Sequence, residues 1–265
     1  MTQEIDIYQV DAFTDRLFGG NPAAVCPLPD GWLADELMQD IAAENNLSET
    51  AFIVESAETG RDYAIRWFTP TREVDLCGHA TLASGYVITS FLASGRQEIT
   101  FGSRSGPLGV KKDGEWFVLD FPAQPGTRVE DDGRVRAAIR QDPLEVWEAP
   151  KWFAVLPDEA AVRACRPDLD KVMEIGKGSL IVTGPGDDCD FVSRYFAPGG
   201  GIPEDPVTGS AHSVLTPYWA ERLGKTSLTA RQVSKRGGFL KVELKGDRVM
   251  IAGQAALYMR GRIAV

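Results

Sequence analysis

Histidine and cysteine are scarce in this chain: two and four, respectively, among 265 residues. The cysteines, Cys26, Cys77, Cys165 and Cys189, stand far apart with no Cys-x-x-Cys pair. That excludes a zinc ribbon and points to reduced thiols in a cytoplasmic protein. No basic run occurs, and 28 Lys and Arg against 38 Asp and Glu give a net charge of −10, so no nucleic-acid partner held through phosphates is expected. Long apolar runs are missing too. The longest weakly polar stretch, residues 80–93 (ATLASGYVITSFLA), is shorter than the ~20 residues a membrane span needs, and it reads as a buried helix. The opening MTQEIDIYQVDAF carries acids and alternation where an export signal would be basic and then apolar.

What is present is a repeat. Sliding the sequence against itself by 128 positions aligns Leu28-Pro29-Asp30 with Leu156-Pro157-Asp158. The same shift pairs Ile53-Val54 with Ile181-Val182, Asp62 with Asp190, and Arg66-Trp67-Phe68-Thr69-Pro70 with Arg194-Tyr195-Phe196-Ala197-Pro198. Ten of the 43 positions from 28 to 70 are identical, against about two or three expected from average composition. Beyond the prolines the register slips by three, and the match weakens. The repeat predicts two lobes, 1–127 and 128–265, joined in the polar stretch 126–143, with an active site in the cleft between them.

Within each lobe, short alternating runs bounded by turn formers predict strands, at 5–13, 50–54, 63–68, 98–101 and 116–121 in the first. Leu33, Leu37 and Ile41 recur at helical spacing after Asp30, which is expected to cap that helix. Ala83, Val87 and Phe91 do so after Gly78-His79, and Val214, Leu215, Tyr218 and Trp219 after Gly209-Ser210. Strands outnumber helices, and hairpins such as 110–116 imply antiparallel pairing. The fold class is therefore α+β: two pseudo-symmetric lobes, each a curved, mostly antiparallel sheet wrapped around a central helix.

Two helix starts occupy matching places, one at 75–81 (DLCGHAT) and one at 204–212 (EDPVTGSAH). Unpaired N–H groups and the helix dipole favour an anion at such ends, so a carboxylate-bearing small molecule suits them. Both histidines lie here. His79, at the helix N-terminus, should stay neutral and serve as a proton relay, while His212 is expected to pack inside the lobe. Glu49, flanked by Leu47, Ala51 and Phe52, is a candidate proton carrier, and Lys177 takes its place in the second lobe under the 128-residue shift. Asp205 precedes Pro206 one turn ahead of the second helix, where capping is the alternative role. Cys77 reads as a small buried residue. No cysteine stands at 205–208, which leaves a two-thiol mechanism unsupported.

Taken together, Val10-Asp-Ala-Phe-Thr14, Gly19-Gly-Asn-Pro-Ala-Ala24, Asn46-Leu-Ser-Glu-Thr50, Phe68-Thr-Pro70, Gly78-His79, the run 203–210 (PEDPVTGS) and Arg236-Gly-Gly238 resemble the PhzF-like isomerases of phenazine biosynthesis. That family shares the diaminopimelate-epimerase fold. The resemblance implies a cofactor-independent isomerase without a metal, often a homodimer, with Glu49 as central proton carrier and His79 and Asp205 assisting. Gly78, Gly209 and Ser210 match the segments that hold the substrate carboxylate. Alternatives are an amino- or imino-acid racemase or epimerase, and a non-catalytic small-molecule-binding homologue.

Overall fold

The structure is a computed structural model that describes residues 4–56 and 60–265. It divides into two units, Met1–Asp120 with Ala252–Val265, and Phe121–Ile251. The expected boundaries, 1–127 and 128–265, are thus displaced at both ends. The last strand, Ala255–Ala264, runs antiparallel to the first along nearly its whole length, from Glu4 opposite Ala264 to Ala12 opposite Ala255. The expected joint 126–143 is ordered structure of the second unit and contains a helix.

In the first unit the chain runs β1 (Glu4–Ala12), β2 (Asn21–Pro27), α1 (Asp35–Asn45), β3 (Glu49–Glu55), β4 (Tyr63–Phe68), β5 (Glu73–Val74), α2 (Gly78–Val87), β6 (Glu98–Ser103), β7 (Gly106–Asp113) and β8 (Trp116–Pro122). β2 pairs antiparallel with β1 and parallel with β3, β3 antiparallel with β4, and β4 parallel with β6. The remaining pairs, β4–β5, β6–β7 and β7–β8, are antiparallel. α2 packs against β1, β2, β3 and β7 and is buried on every side except at Tyr86. Its small residues make this possible: a Cβ on Gly85 would come within 2.6 Å of Val110 Cγ1. The buried hydroxyls of Thr81 and Ser84 donate back to Cys77 O (2.6 Å) and Ala80 O (2.7 Å), so the sheet encloses the helix without leaving them unpaired.

The second unit continues with β9 (Thr127–Val129), α3 (Arg134–Ile139), β10 (Glu145–Glu148), β11 (Trp152–Val155), α4 (Glu159–Ala164), α5 (Leu169–Val172), β12 (Leu180–Pro185), β13 (Phe191–Ala197), β14 (Ile202–Asp205), α6 (Gly209–Leu223), β15 (Ser227–Gln232), β16 (Gly238–Lys245) and β17 (Arg248–Gly253). The pairing logic of the first unit recurs: β11 lies parallel to β12, β12 antiparallel to β13, β13 parallel to β15 and antiparallel to β14, and β15 antiparallel to β16. The central helix is α6. Pro217 sits inside it and cannot donate to the Ser213 carbonyl four residues back. The Gln124 N–H fills that vacancy at 2.9 Å.

Strand register corrects one detail of the repeat. Phe52 faces Arg66 and Val182 faces Arg194. The third strand of the first unit and its twin therefore match at a shift of 130, while their neighbours keep 128. Glu49 consequently corresponds to Ser179, not to Lys177: Thr50 opposes Phe68 as Leu180 opposes Phe196. Ungapped alignment followed the chemically similar Ile-Val pairs, whereas backbone pairing fixes which residues share a position. Asp30 also does not cap α1. That helix starts five residues later behind Ala34, with no side-chain cap, because Gly31 turns the chain at φ 98°. The twin of Asp30, Asp158, does cap, accepting the Ala161 N–H at 2.7 Å.

Candidate active site

Glu49 is placed by the end of one helix and the start of a strand. α1 stops at Asn46, which adopts a left-handed conformation (φ 49°) and donates its N–H to Ala42 O, a C-cap geometry asparagine tolerates better than most residues. The Asn45 amide bonds the Thr50 hydroxyl at 3.0 Å, and Glu49, the first residue of β3, lies opposite Ala23 of β2. Its Oε2 is 3.2 Å from His79 Nε2, with side-chain exposures of 14% and 6%.

His79 is the second residue of α2. Asn21, fully buried at the head of β2, places its Nδ2 3.2 Å from His79 Nδ1. Gly20 makes that approach possible: its φ is +60°, and a Cβ there would lie 2.1 Å from Ala12 O. Because an amide N–H₂ donates, Nδ1 accepts and the ring proton sits on Nε2, directed at Glu49. Burial lowers the His79 pKa to about 3, so the imidazole is neutral at pH 7. A neutral donor facing a carboxylate leaves Glu49 as the base of the pair.

Cys77 precedes α2 in an extended conformation (φ −142°), and no side chain caps the helix. Its buried Sγ lies 3.5 Å from His79 Nδ1 and 3.9 Å from Nε2. Glu49, Cys77 and His79 thus bring three donor atoms within 4.8 Å of one another, close enough to face one divalent cation. The same three atoms, without an ion, form a short proton path at the head of a helix whose first N–H groups favour negative charge. Gly78 opens that helix.

Asp205, Gly209 and Ser210 all lie in the second unit. Asp205 ends β14 and is buried. Its Oδ2 accepts a very short hydrogen bond from the Thr208 hydroxyl. Gln232, wholly buried, ties the turn together: its Nε2 donates to Asp205 O (2.7 Å) and to the Thr208 hydroxyl (3.2 Å), while its Oε1 accepts from Thr208 N (2.8 Å). His212 Nδ1 donates to Thr208 O at 2.8 Å, and burial holds its pKa near 4. It packs inside the unit as the sequence suggested. Gly209 and Ser210 open α6 behind Thr208, again without a side-chain cap.

The structure brings Glu49, His79 and Gly78 together, and Asp205, Gly209 and Ser210 together. Sequence reasoning did not single out Asn21, Thr208 or Gln232 as site residues. Asn21 stood in a quoted motif without a role, and Gln232 carries no local signal, since its function depends on a backbone turn 24–27 residues away.

Comparison with known proteins places the chain in a family. The family model described as phenazine biosynthesis-like protein matches residues 10–261. An uncharacterized isomerase of Pseudomonas aeruginosa is 51% identical over 261 residues, covering 98% of each chain. A crystal structure of a PhzF-family phenazine biosynthesis protein from Enterococcus faecalis superposes with a TM-score of 0.95 at 46% identity, over 99% of this chain and 100% of that one. At the level of fold alone, a hydroxyproline epimerase from Agrobacterium vitis matches with a TM-score of 0.65 at 10% identity, over 99% of this chain and 93% of that one. The α+β, epimerase-like architecture is thereby shown, and the chain belongs to the PhzC-PhzF family of phenazine biosynthesis-like proteins.

Proposed function

We propose that the protein is a cofactor-independent isomerase that moves a proton between carbon atoms of a small carboxylate-bearing metabolite, a cyclic acid among the candidates. The observation that carries this reading is the nearly buried 3.2 Å contact between Glu49 Oε2 and the protonated Nε2 of a neutral His79. Glu49 accepts the C–H proton and returns it at a second carbon. His79 orients the carboxylate and shares the proton as it passes. The uncapped N–H groups at the start of α2, from Gly78, stabilise the enolate-like charge that develops as the proton leaves. Asp205 takes an assisting role, and Gly209 and Ser210 a substrate-holding one. What supports these three assignments is their match to the family pattern and the uncapped helix start they form.

A second reading, racemisation or epimerisation of an amino or imino acid, is favoured by one observation: Cys77 Sγ lies beside the His79 ring. Cys77→Ala separates the two, since an epimerase using that thiol loses turnover and a Glu49 isomerase retains it. Proton NMR in D₂O tests the main reading on a panel of cyclic carboxylic acids. The wild type should wash deuterium into one substrate, and Glu49→Gln should slow this by about 10²–10⁴-fold with an unchanged melting temperature. A Gln variant with full exchange would sink the assignment.

A further inference from the structure

The repeat presents the Glu49 position a second time, in the unit that lacks Glu49. By register, Ser179 stands where Glu49 stands, and Tyr195 stands where Trp67 stands. One residue beyond the observed β11–β12 pairing of Trp152 with Leu180, Lys151 falls beside Ser179, as Ala23 falls beside Glu49. The second unit has therefore put a cation, a phenol and a hydroxyl where the first has a carboxylate and apolar neighbours.

Lys151 is half-buried, with Nζ 5.9 Å from the Tyr195 ring centroid. Tyr195 pairs across the sheet with Asp205. Burial depresses the Lys151 pKa, and the charge of Lys177 acts in the same direction while that of Asp205 opposes them. Burial likewise raises the Tyr195 pKa, with the Ser179 hydroxyl opposing. Among the described residues neither the Lys151 nor the Lys177 ammonium forms a hydrogen bond or an ion pair. Asp205 is already engaged by the Thr208 hydroxyl. A half-buried cation without a bonded counter-charge is costly, and an incoming anion relieves that cost.

We propose that Lys151, together with the Ser179 and Tyr195 hydroxyls, is a binding site for one carboxylate group of a small molecule. Identifying that molecule with the metabolite rests on the isomerase reading above; the site itself does not. A carboxylate offers about four lone-pair sites, enough to accept one ammonium N–H and both hydroxyls at once.

Reductive methylation with ¹³C-formaldehyde puts an NMR probe on each of the nine lysines and keeps their charge. Lys151→Arg identifies the Lys151 resonance by its loss. Benzoate should shift that resonance and raise its titration midpoint, and methyl benzoate, which has no charge, should leave it unchanged. Tyr195→Phe and Ser179→Ala should each weaken benzoate binding by roughly tenfold, the size of one charge-assisted hydrogen bond. A Lys151 resonance that ignores benzoate, that answers the ester equally, or that answers inorganic phosphate alone overturns the proposal. Deuterium wash-in by Glu49 is read separately, so failure of the exchange assay with benzoate still bound removes the isomerase reading and leaves the site standing.

Discussion

His79 and His212 are both buried and neutral, and their effect on stability follows from that. Each has a folded pKa below the ordinary 6.5, about 3 for His79 and about 4 for His212, with burial as the first cause. Between these values and 6.5 the unfolded chain binds more protons than the folded one. The stability each neutral ring contributes is therefore fully present above pH 6.5 and is lost as pH falls toward the folded value. The slope approaches about 1.4 kcal/mol per pH unit for each histidine. Urea midpoints should fall steadily from pH 7 to pH 5. His212→Asn, whose amide can still donate to Thr208 O, should remove about half of the histidine share of that slope; an unchanged slope would refute the assignment. At this scale the placement of Glu49 at a strand start and His79 at a helix start was legible, because helix and strand boundaries carry local sequence signals; a role for Asp205 came only with the family resemblance. Asn21 and Gln232 were not legible, since an amide earns its role only from a partner brought close by tertiary structure.

Among the elements, two arginine forks repeat with close fidelity. Arg66 grips Glu73 through Nε (2.7 Å) and Nη2 (2.8 Å), and Arg194 grips Glu204 through Nε (2.7 Å) and Nη2 (2.9 Å). Each guanidinium also lies over the phenylalanine two residues on, at 5.2 Å for Phe68 and 4.8 Å for Phe196. The spare nitrogens take different partners. Arg66 Nη1 meets Asp35 in the first turn of α1, whereas Arg194 Nη1 bonds Cys165 O at the end of α4. Both choices suit the local helix dipole. Because Glu204 adjoins Asp205, the second fork anchors the strand that carries the candidate site. Arg194→Met should cost about 2–3 kcal/mol in urea unfolding by leaving a partly buried carboxylate unpaired. Arg194→Lys should recover little of this, since an ammonium cannot bond both oxygens with fork geometry. Full recovery by lysine would show that charge alone matters. The matched Arg66 and Arg194 were visible in the sequence, and the slip of three beyond the prolines brings Glu73 and Glu204, seven and ten residues on, into register; that each closes a fork on its arginine needed the folded strands.

At the scale of the whole chain, the duplication extends to individual hydrogen bonds. Asp62 Oδ2 accepts the Thr100 N–H (2.8 Å) and hydroxyl (2.9 Å), and Asp190 Oδ2 accepts those of Thr229 at 2.7 and 3.1 Å. What sequence could not show is that the last 14 residues, Ala252–Val265, return to the first unit. The strand Ala255–Ala264 is mostly exposed and has no clean alternation, so its pairing with β1 depends on backbone hydrogen bonds that any sequence supplies. The return also fixes Phe13, which has φ 64°, donates its N–H to Gln254 O at 2.8 Å and packs so tightly on Gly253 that a Cβ there would fall 2.2 Å from its ring. A chain ending at Ile251 therefore removes the outer partner of β1 and the contacts that hold Phe13 in a left-handed conformation, while every pairing within β11 to β16 survives. Amide hydrogen exchange should then lose protection in β1, β2 and α2 by orders of magnitude and retain it in β13, β15 and β16, because each unit has its own core and opens as its own cooperative segment. Equal loss in both sets would show instead that the two halves of this duplicated chain stand or fall together, with no independent stability in the second.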